Sequence, residues 1–200
     1  MNKPYHHGNL RAALLEAARA RLAEAAEAEL SLRDLAARVG VSVNATYRHF
    51  ESKEALLMEL ATEGFDALRD RMLAAIAGCA EASPAARLRA AGEAYVAFAE
   101  EDPALFRLMF GRGGRFTAQP RYLDAAGSAF GVVKACVAAI RGAAQDAPEV
   151  GKAAVAAWST VHGYAVLRLG GYLQGVPEAR RPSVREVFGL LALDTDRSPP

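Results

Sequence analysis

Apolar residues recur three and four positions apart in blocks separated by Ser, Asp, Gly and Pro, the spacing of helices that each bury one face. About nine such blocks follow one another, and no alternating strand pattern of any length interrupts them. Asn9 can cap a first helix with Leu10, Leu14, Ala18 and Leu22 inward, ending before Leu30. Ser31 starts a second, with Leu32, Leu35 and Ala36 as its core face, and Gly40 can stop it in the left-handed conformation that clashes for residues with a Cβ. Ser42 caps a short third helix to about Phe50. Ser52 caps a long fourth carrying Leu56, Leu57, Leu60, Phe65, Leu68, Met72 and Ile76 to about Gly78.

Ser83-Pro84 and Asp102-Pro103 each place a cap before a proline at the first helical position, where a missing amide donor costs nothing. The fifth helix then carries Leu88, Ala91, Tyr95 and Phe98, and the sixth Leu105, Phe106, Met109 and Phe110. Gly111 to Pro120 reads as a loop, followed by a seventh helix from about Arg121 to Ala144. The eighth begins at Pro148 and repeats Trp158, Val161, His162, Ala165, Val166, Leu169, Tyr172 and Leu173 over four turns. After a loop from Gly175 to Pro182, Ser183 and Glu186 form a capping box before a ninth helix bearing Val184, Val187, Phe188 and Leu191.

Cap, short helix, glycine turn and second short helix over Ser31 to Phe50 are the sequence form of a helix-turn-helix. In that motif the second helix enters the major groove and presents short polar side chains to base edges. Ser42, Asn44 and Thr46 suit this: Asn44 can bond adenine bidentately, while Ala45 or the Thr46 methyl can meet a thymine methyl. Tyr47, Arg48, His49 and Lys53 supply donors for phosphate oxygens, which position the protein without specifying sequence, and Lys3 and Arg33 are further cations expected at the DNA.

These residues resemble the DNA-binding domain of the TetR-type bacterial transcriptional regulators. The resemblance lies in Leu32-Arg33-Asp34-Leu35-Ala36, Val39-Gly40-Val41-Ser42, Tyr47-Arg48-His49-Phe50 and Ser52-Lys53-Glu54-Ala55-Leu56, in order and spacing. The opening Tyr5-His6-His7-Gly8-Asn9-Leu10-Arg11 and the later Trp158-Ser159-Thr160-Val161-His162-Gly163 are similar to a subgroup of that family. The chain departs from the family where Gly, Thr and an apolar residue often precede the tyrosine, since Asn44, Ala45 and Thr46 stand there instead. An operator sequence therefore does not carry over.

The resemblance implies an all-α regulator, most often a repressor, with a helix-turn-helix domain over 1–55, an effector-binding and dimerisation domain over 56–193, and a tail over 194–200. It implies double-stranded operator DNA, a small-molecule effector and a second copy as partners, with the last two helices of each copy forming a four-helix bundle and a palindromic operator following from the two-fold axis. Gly163, Gly170 and Gly171 would let a partner backbone approach. For the effector, the C-terminal half supplies Tyr95, Phe98, Phe106, Met109, Phe110, Phe130, Trp158 and His162. Helical spacing also builds plain cores, so His162 reads equally as a core histidine or a ligand contact.

Composition adjusts this picture in three places. With 45 Ala in 200 residues, the best helix former dominates and strand formers are thin. Residues 1–60 hold eight Lys and Arg against eight Asp and Glu, so bulk charge does not mark a DNA binder; positive charge gathers instead in 1–15 and 32–53, each +2. Few phosphate contacts per subunit imply reliance on dimeric binding to two half-sites.

The longest stretch free of charge, Ala153 to Leu167, has 15 residues against the ~20 a membrane span needs, and the N-terminus lacks a secretory core, so the protein is expected in the cytoplasm. Cys79 and Cys136 have no metal or disulfide spacing, adjacent His6 and His7 lack a third ligand, and Gly111 to Arg115 lacks the Lys-Ser/Thr ending of a phosphate loop. No cofactor or metal is expected. The alternatives to a regulator are a helical enzyme or a protein-interaction module using the C-terminal cavity, but no nucleophile, base and orienting group converge in the sequence.

Overall fold

In a computed structural model, the described residues are 10–24, 27–81, 83–111, 116 and 119–190. They form nine α-helices and, among the described residues, no strand: α1 Leu10–Glu24, α2 Leu32–Val39, α3 Val43–Tyr47, α4 Lys53–Ala77, α5 Pro84–Glu101, α6 Pro103–Gly111, α7 Pro120–Arg141, α8 Pro148–Leu169 and α9 Val184–Gly189. One-turn 3-10 helices at Glu27–Glu29 and Glu178–Arg180 interrupt two connections.

The caps act as their chemistry dictates. Ser31 Oγ accepts from the Asp34 amide at 3.1 Å, Ser42 Oγ from Ala45 at 3.2 Å, Ser52 Oγ from Ala55 at 3.0 Å, and Asp102 Oδ1 from Leu105 at 2.9 Å. At the end of α2, Gly40 takes φ 76° and ψ 34° and returns its N–H to the carbonyls of Ala36 and Ala37. Ser183 and Glu186 close both hydrogen bonds of the capping box on α9. The expected cap of α1, Asn9, and the tail over 194–200 lie outside the described residues.

Three helices are shorter than the periodicity predicts. α3 stops at Tyr47 rather than Phe50, and α7 stops at Arg141, just before Gly142 at φ 59°. α8 ends at Leu169: Gly170 and Gly171, the latter at φ 73°, turn the chain, and Tyr172, expected on the apolar face, is 74% exposed. Glycine is costly to hold in a helix and takes the left-handed conformation without a Cβ clash, so the pair ends α8, and apolar spacing alone does not register it.

The chain forms two compact units, residues 1–64 with 102–122 and residues 65–101 with 123–200. In the first, α1 packs on α2 and α6, with Leu14, Leu15, Leu35, Leu56 and Leu57 at its centre. Gly64 lets α6 sit on α4, since a Cβ there would lie 2.7 Å from Met109 Sδ. In the second, α5 packs on α8 and α9, around Tyr95, Leu68, Met72, Val137 and Val150. α4 contributes residues to both units.

Candidate nucleic-acid interface and effector cavity

The short α3 splits its residues between two environments. Thr46 and Phe50, four apart, are buried, whereas Ser42, Asn44, Tyr47, Arg48 and His49 are exposed and Ala45 is half-buried. Tyr47 is 55% exposed, high for a large aromatic side chain on a compact unit. Asn44, Tyr47 and Arg48 stand at i, i+3 and i+4 and so share one side of the helix. That side carries an amide, a phenol and a guanidinium, the donor and acceptor types that read bases and hold phosphates.

Thr46 requires a correction. It was expected at the DNA with its methyl on a base, but it is 0% exposed and its side chain faces the core, because position 46 lies on the same flank as Phe50. Its Oγ1 is buried without a hydrogen-bond partner.

The remaining expected DNA residues fall as follows. Arg33 is exposed on α2, and Lys3 lies outside the described residues, as do His6 and His7. Lys53 is half-buried and its ammonium donates to the Glu27 carbonyl at 2.6 Å, tying the start of α4 to the chain entering α2.

Most arginines nearby are committed to structure. Arg38 pairs with Glu24 at 2.7 Å and Asp34 at 3.3 Å, Arg21 with Glu29 at 3.2 Å and Asp34 at 3.3 Å, and Arg19 with Asp102 at 2.6 Å. The hydrogen bond from Arg38 holds the Glu24 carboxyl below its ordinary range. Among the described residues up to 60, Arg33 and Arg48 are the arginines with no ion pair. They are also the two expected at the DNA.

One positioning residue escaped the sequence reading. Arg11 on α1 donates to the His49 carbonyl at 3.2 Å, lies 4.6 Å over the Phe50 ring and pairs with Glu59 at 3.0 Å. It fixes the exit of α3 against α1 and α4. Its place in the quoted N-terminal run was the only signal, and that run names no role.

In the second unit a ladder of rings crosses from α7 to α8 and α5. Phe130 meets Trp158 edge to face at 5.7 Å between centroids, and Trp158 meets Tyr95 likewise at 5.2 Å. The Tyr95 hydroxyl and Nδ1 of His162 are hydrogen-bonded at 2.9 Å. Burial lowers the His162 pKa below the ordinary histidine value and raises that of Tyr95, so both are neutral at pH 7. Phe98 is buried on the same α5.

Of the other expected effector residues, Phe106, Met109 and Phe110 belong to the first unit, where the two phenylalanine rings lie tilted with centroids 4.9 Å apart and Met109 packs beneath Gly64.

Beside the ladder lies an apolar cavity of about 10 Å³, walled by Met72, Leu88, Gly92, Val133, Val161 and Phe188. Phe188, from α9, lies directly on Gly92: a Cβ at residue 92 would come 2.9 Å from its Cζ and nearer still to Cε2. The sequence placed Phe188 on the ninth helix without this partner, since nothing in local spacing links positions 92 and 188. Among the described residues no group of three or more His, Cys, Asp or Glu could hold a metal.

Residues 14–60 match the family described as bacterial regulatory proteins, tetR family, and residues 88–191 match the tetracyclin repressor-like C-terminal domain. No curated protein matches the chain. Among solved structures, a protein of unknown function from Rhodococcus sp. RHA1 is 34% identical with a TM-score of 0.78, over 94% of this chain and 94% of that one. PfmR, a TetR family transcriptional regulator from Thermus thermophilus, is 22% identical with a TM-score of 0.64, over 92% and 99%. FadR from Bacillus subtilis, solved in complex with stearoyl-CoA, is 16% identical with a TM-score of 0.69, over 90% and 96%.

Proposed function

The chain belongs to the tetR family of bacterial regulatory proteins, and from that premise we propose that it is a homodimeric repressor released from a palindromic operator by a small molecule bound in its second unit. The observation that carries the DNA half is the exposed side of α3: Asn44, Tyr47, Arg48 and His49 project outward, and Arg48, like Arg33 on α2, is an arginine without an ion pair among the described residues up to 60. Asn44 reads a base edge; Tyr47, Arg48, His49, Arg33 and Lys53 hold phosphates, with Lys3 as a further contact. Ser42 uses its oxygen to cap α3 and keeps its O–H to donate.

The homodimer uses α7 and α8. α8 exposes Val155, Val166 and Leu167 along its length, and α7 exposes Leu123 together with small residues at Gly127, Ala135 and Ala139. α7 is the one described helix long and apolar enough to cross a membrane, at mean hydropathy 1.6 with 33% of that window buried, yet it carries Lys134 mid-length. A second copy covering this face accounts for its apolar character. The expected pairing of the last two helices thus changes in one member, because α9 has six residues and spends Phe188 inward. Two copies about the two-fold axis would present two α3 helices to half-sites roughly 34–36 Å apart, or a multiple of that.

The effector seat is the neighbourhood of Tyr95, Trp158 and His162, with Phe98 and Phe130 around it. FadR, on the same fold, was solved in complex with stearoyl-CoA, which supports a small-molecule ligand. A ligand that binds the DNA-incompetent form more tightly shifts the population away from the operator, and α4, shared by both units, is the element through which the change passes.

The test is selection of bound sequences from a random duplex pool, with Asn44→Ala and Tyr47→Ala variants beside the intact chain. An enriched palindrome, relaxed at one base position by Asn44→Ala and weakened throughout by Tyr47→Ala, is expected. No enrichment at low salt would overturn the reading.

A further inference from the structure

We infer that Phe188 is a built-in stand-in for the ligand: its ring occupies an apolar seat on Gly92 of α5, and an uncharged molecule bearing a compact ring takes that seat by displacing α9. This rests on the reading of the second unit as the effector site and names the chemistry that site accepts.

Three observations converge. The seat is shaped for a ring and not for an alkyl side chain of α5 itself, because only the missing Cβ of Gly92 lets the Phe188 face lie against the helix. It is full, since about 10 Å³ remains around the ring, so anything else that enters must expel it. Its walls are carbon, from Met72, Leu88, Val133 and Val161, and the adjacent polar pair, Tyr95 and His162, is mutually hydrogen-bonded and carries no charge. A charged group placed there would lose its hydration without a counter-charge, which excludes ions from the seat itself.

The plug is also lightly held. α9 spans six residues, of which Phe188 alone is fully buried and Val184 and Val187 are half-buried; Arg185 and Glu186 are exposed, Leu190 just beyond is 85% exposed, and the ion pair of Arg185 with Glu93 lies at the surface. Before α9 the chain passes through Gly175, Pro177 and Pro182, with Tyr164 holding it by one hydrogen bond to the Pro182 carbonyl at 2.8 Å. Residues 183–190 can therefore leave without unwinding a long helix.

The test uses the full chain without DNA, with toluene as the probe and benzoate and benzylammonium as its charged counterparts. Amide hydrogen exchange at residues 184–190 is measured in the wild type: with toluene at ten times its Kd for the open seat, the open fraction, and with it the exchange rate, should rise about tenfold, while the ions leave it unchanged. In Phe188→Ala the seat is vacant, so toluene should raise the thermal midpoint more than in the wild type and perturb the fluorescence of Trp158, the chain's single tryptophan. Gly92→Ala expels the ring but fills the seat with its own methyl, so it should free α9 and gain no toluene response. Toluene binding that leaves exchange at 184–190 unchanged overturns the inference, as does an equal response from the ions. Toluene that displaces α9 yet leaves operator affinity intact sinks the effector reading and spares the seat.

Discussion

Replacing Thr46 by valine separates core from contact on α3. Thr46 is wholly buried and its hydroxyl oxygen has no partner, so the folded state carries the desolvation of that group, about 1–3 kcal/mol, without a compensating bond. Valine keeps the branched shape and turns the hydroxyl into a buried methyl, worth about 0.8 kcal/mol more. Thr46→Val should therefore stabilise the protein by about 1–3 kcal/mol. Thr46→Ser does the reverse, keeping the unpaired hydroxyl and removing the methyl, for a loss of about 1 kcal/mol. Urea unfolding followed by circular dichroism reads both: at a slope of about 2 kcal/mol per M, a gain of 2 kcal/mol moves the midpoint up by about 1 M with the slope unchanged. Selection from a random duplex pool should return the same palindrome for valine and wild type, with affinity differing far less than the roughly tenfold that one lost base contact costs. A lower midpoint for valine would mean the hydroxyl is bonded in the native state; an altered base preference would mean that Thr46 faces DNA and that α3 is turned about its axis from the description above.

Further outcomes follow from neighbouring features. Asn44→Ala should cost about 1–3 kcal/mol at one base position, whereas Arg48→Ala should weaken all sequences alike and flatten the salt dependence by about one unit, read by titration at several ionic strengths. Gly40→Ala meets no atom within 4 Å and so reports backbone strain alone at φ 76°; it should lower stability by about 1–2 kcal/mol, with Gly40→Asn milder, by calorimetry. Because burial depresses the His162 pKa, the unfolded chain binds more protons than the folded one below about pH 6.5, so stability should fall as pH drops from 7 towards 5, and His162→Gln should flatten that decline in a pH series of thermal midpoints. A Val155→Asp, Leu167→Asp double variant should sediment as a monomer of unchanged helicity; a persistent dimer would remove α8 from the interface.

What the sequence disclosed, and what it did not, follows the range of the interactions. Ser31, Ser42, Ser52, Asp102 and Ser183 bond amides within three positions, so their caps could be read from neighbours alone. The exposure of Asn44, Tyr47, Arg48 and His49 could be read from the motif, which fixes their order. Thr46 was misread because in a five-residue helix a single position separates the groove side from the core side, and polarity favours neither for a threonine. Tyr95 and His162 meet across 67 positions, Phe188 and Gly92 across still more, and no periodicity encodes such pairs. Met109 and Gly64 are likewise far apart in the chain, and no local spacing shows that Gly64 opens a berth for α6 on α4.

The plug has a consequence for how a release signal can be generated. Burying a phenylalanine side chain contributes about 1.5–3 kcal/mol, so a closed seat weakens any ligand that must open it by roughly 10- to 150-fold. A ligand that merely replaces the ring recovers what Phe188 gave up and gains little net energy, whereas an almost complete switch needs about 5.5 kcal/mol of differential binding, or about half that from each of two sites in a dimer. The surplus must come from atoms beyond the ring, and the groups next to the seat that can receive them are Trp158, on the aromatic ladder, and the Tyr95 and His162 pair. An effector should thus be a ring with an uncharged extension carrying one hydrogen-bonding atom, and its power to release the operator should grow with the extension while the ring alone saturates early. For any releasing compound, Phe188→Ala should shift the dose for half-release downwards by roughly 10- to 150-fold and leave the maximal release unchanged. A lowered maximum with no shift in dose would assign Phe188 to the transmission of the signal and not to the occupancy of the seat.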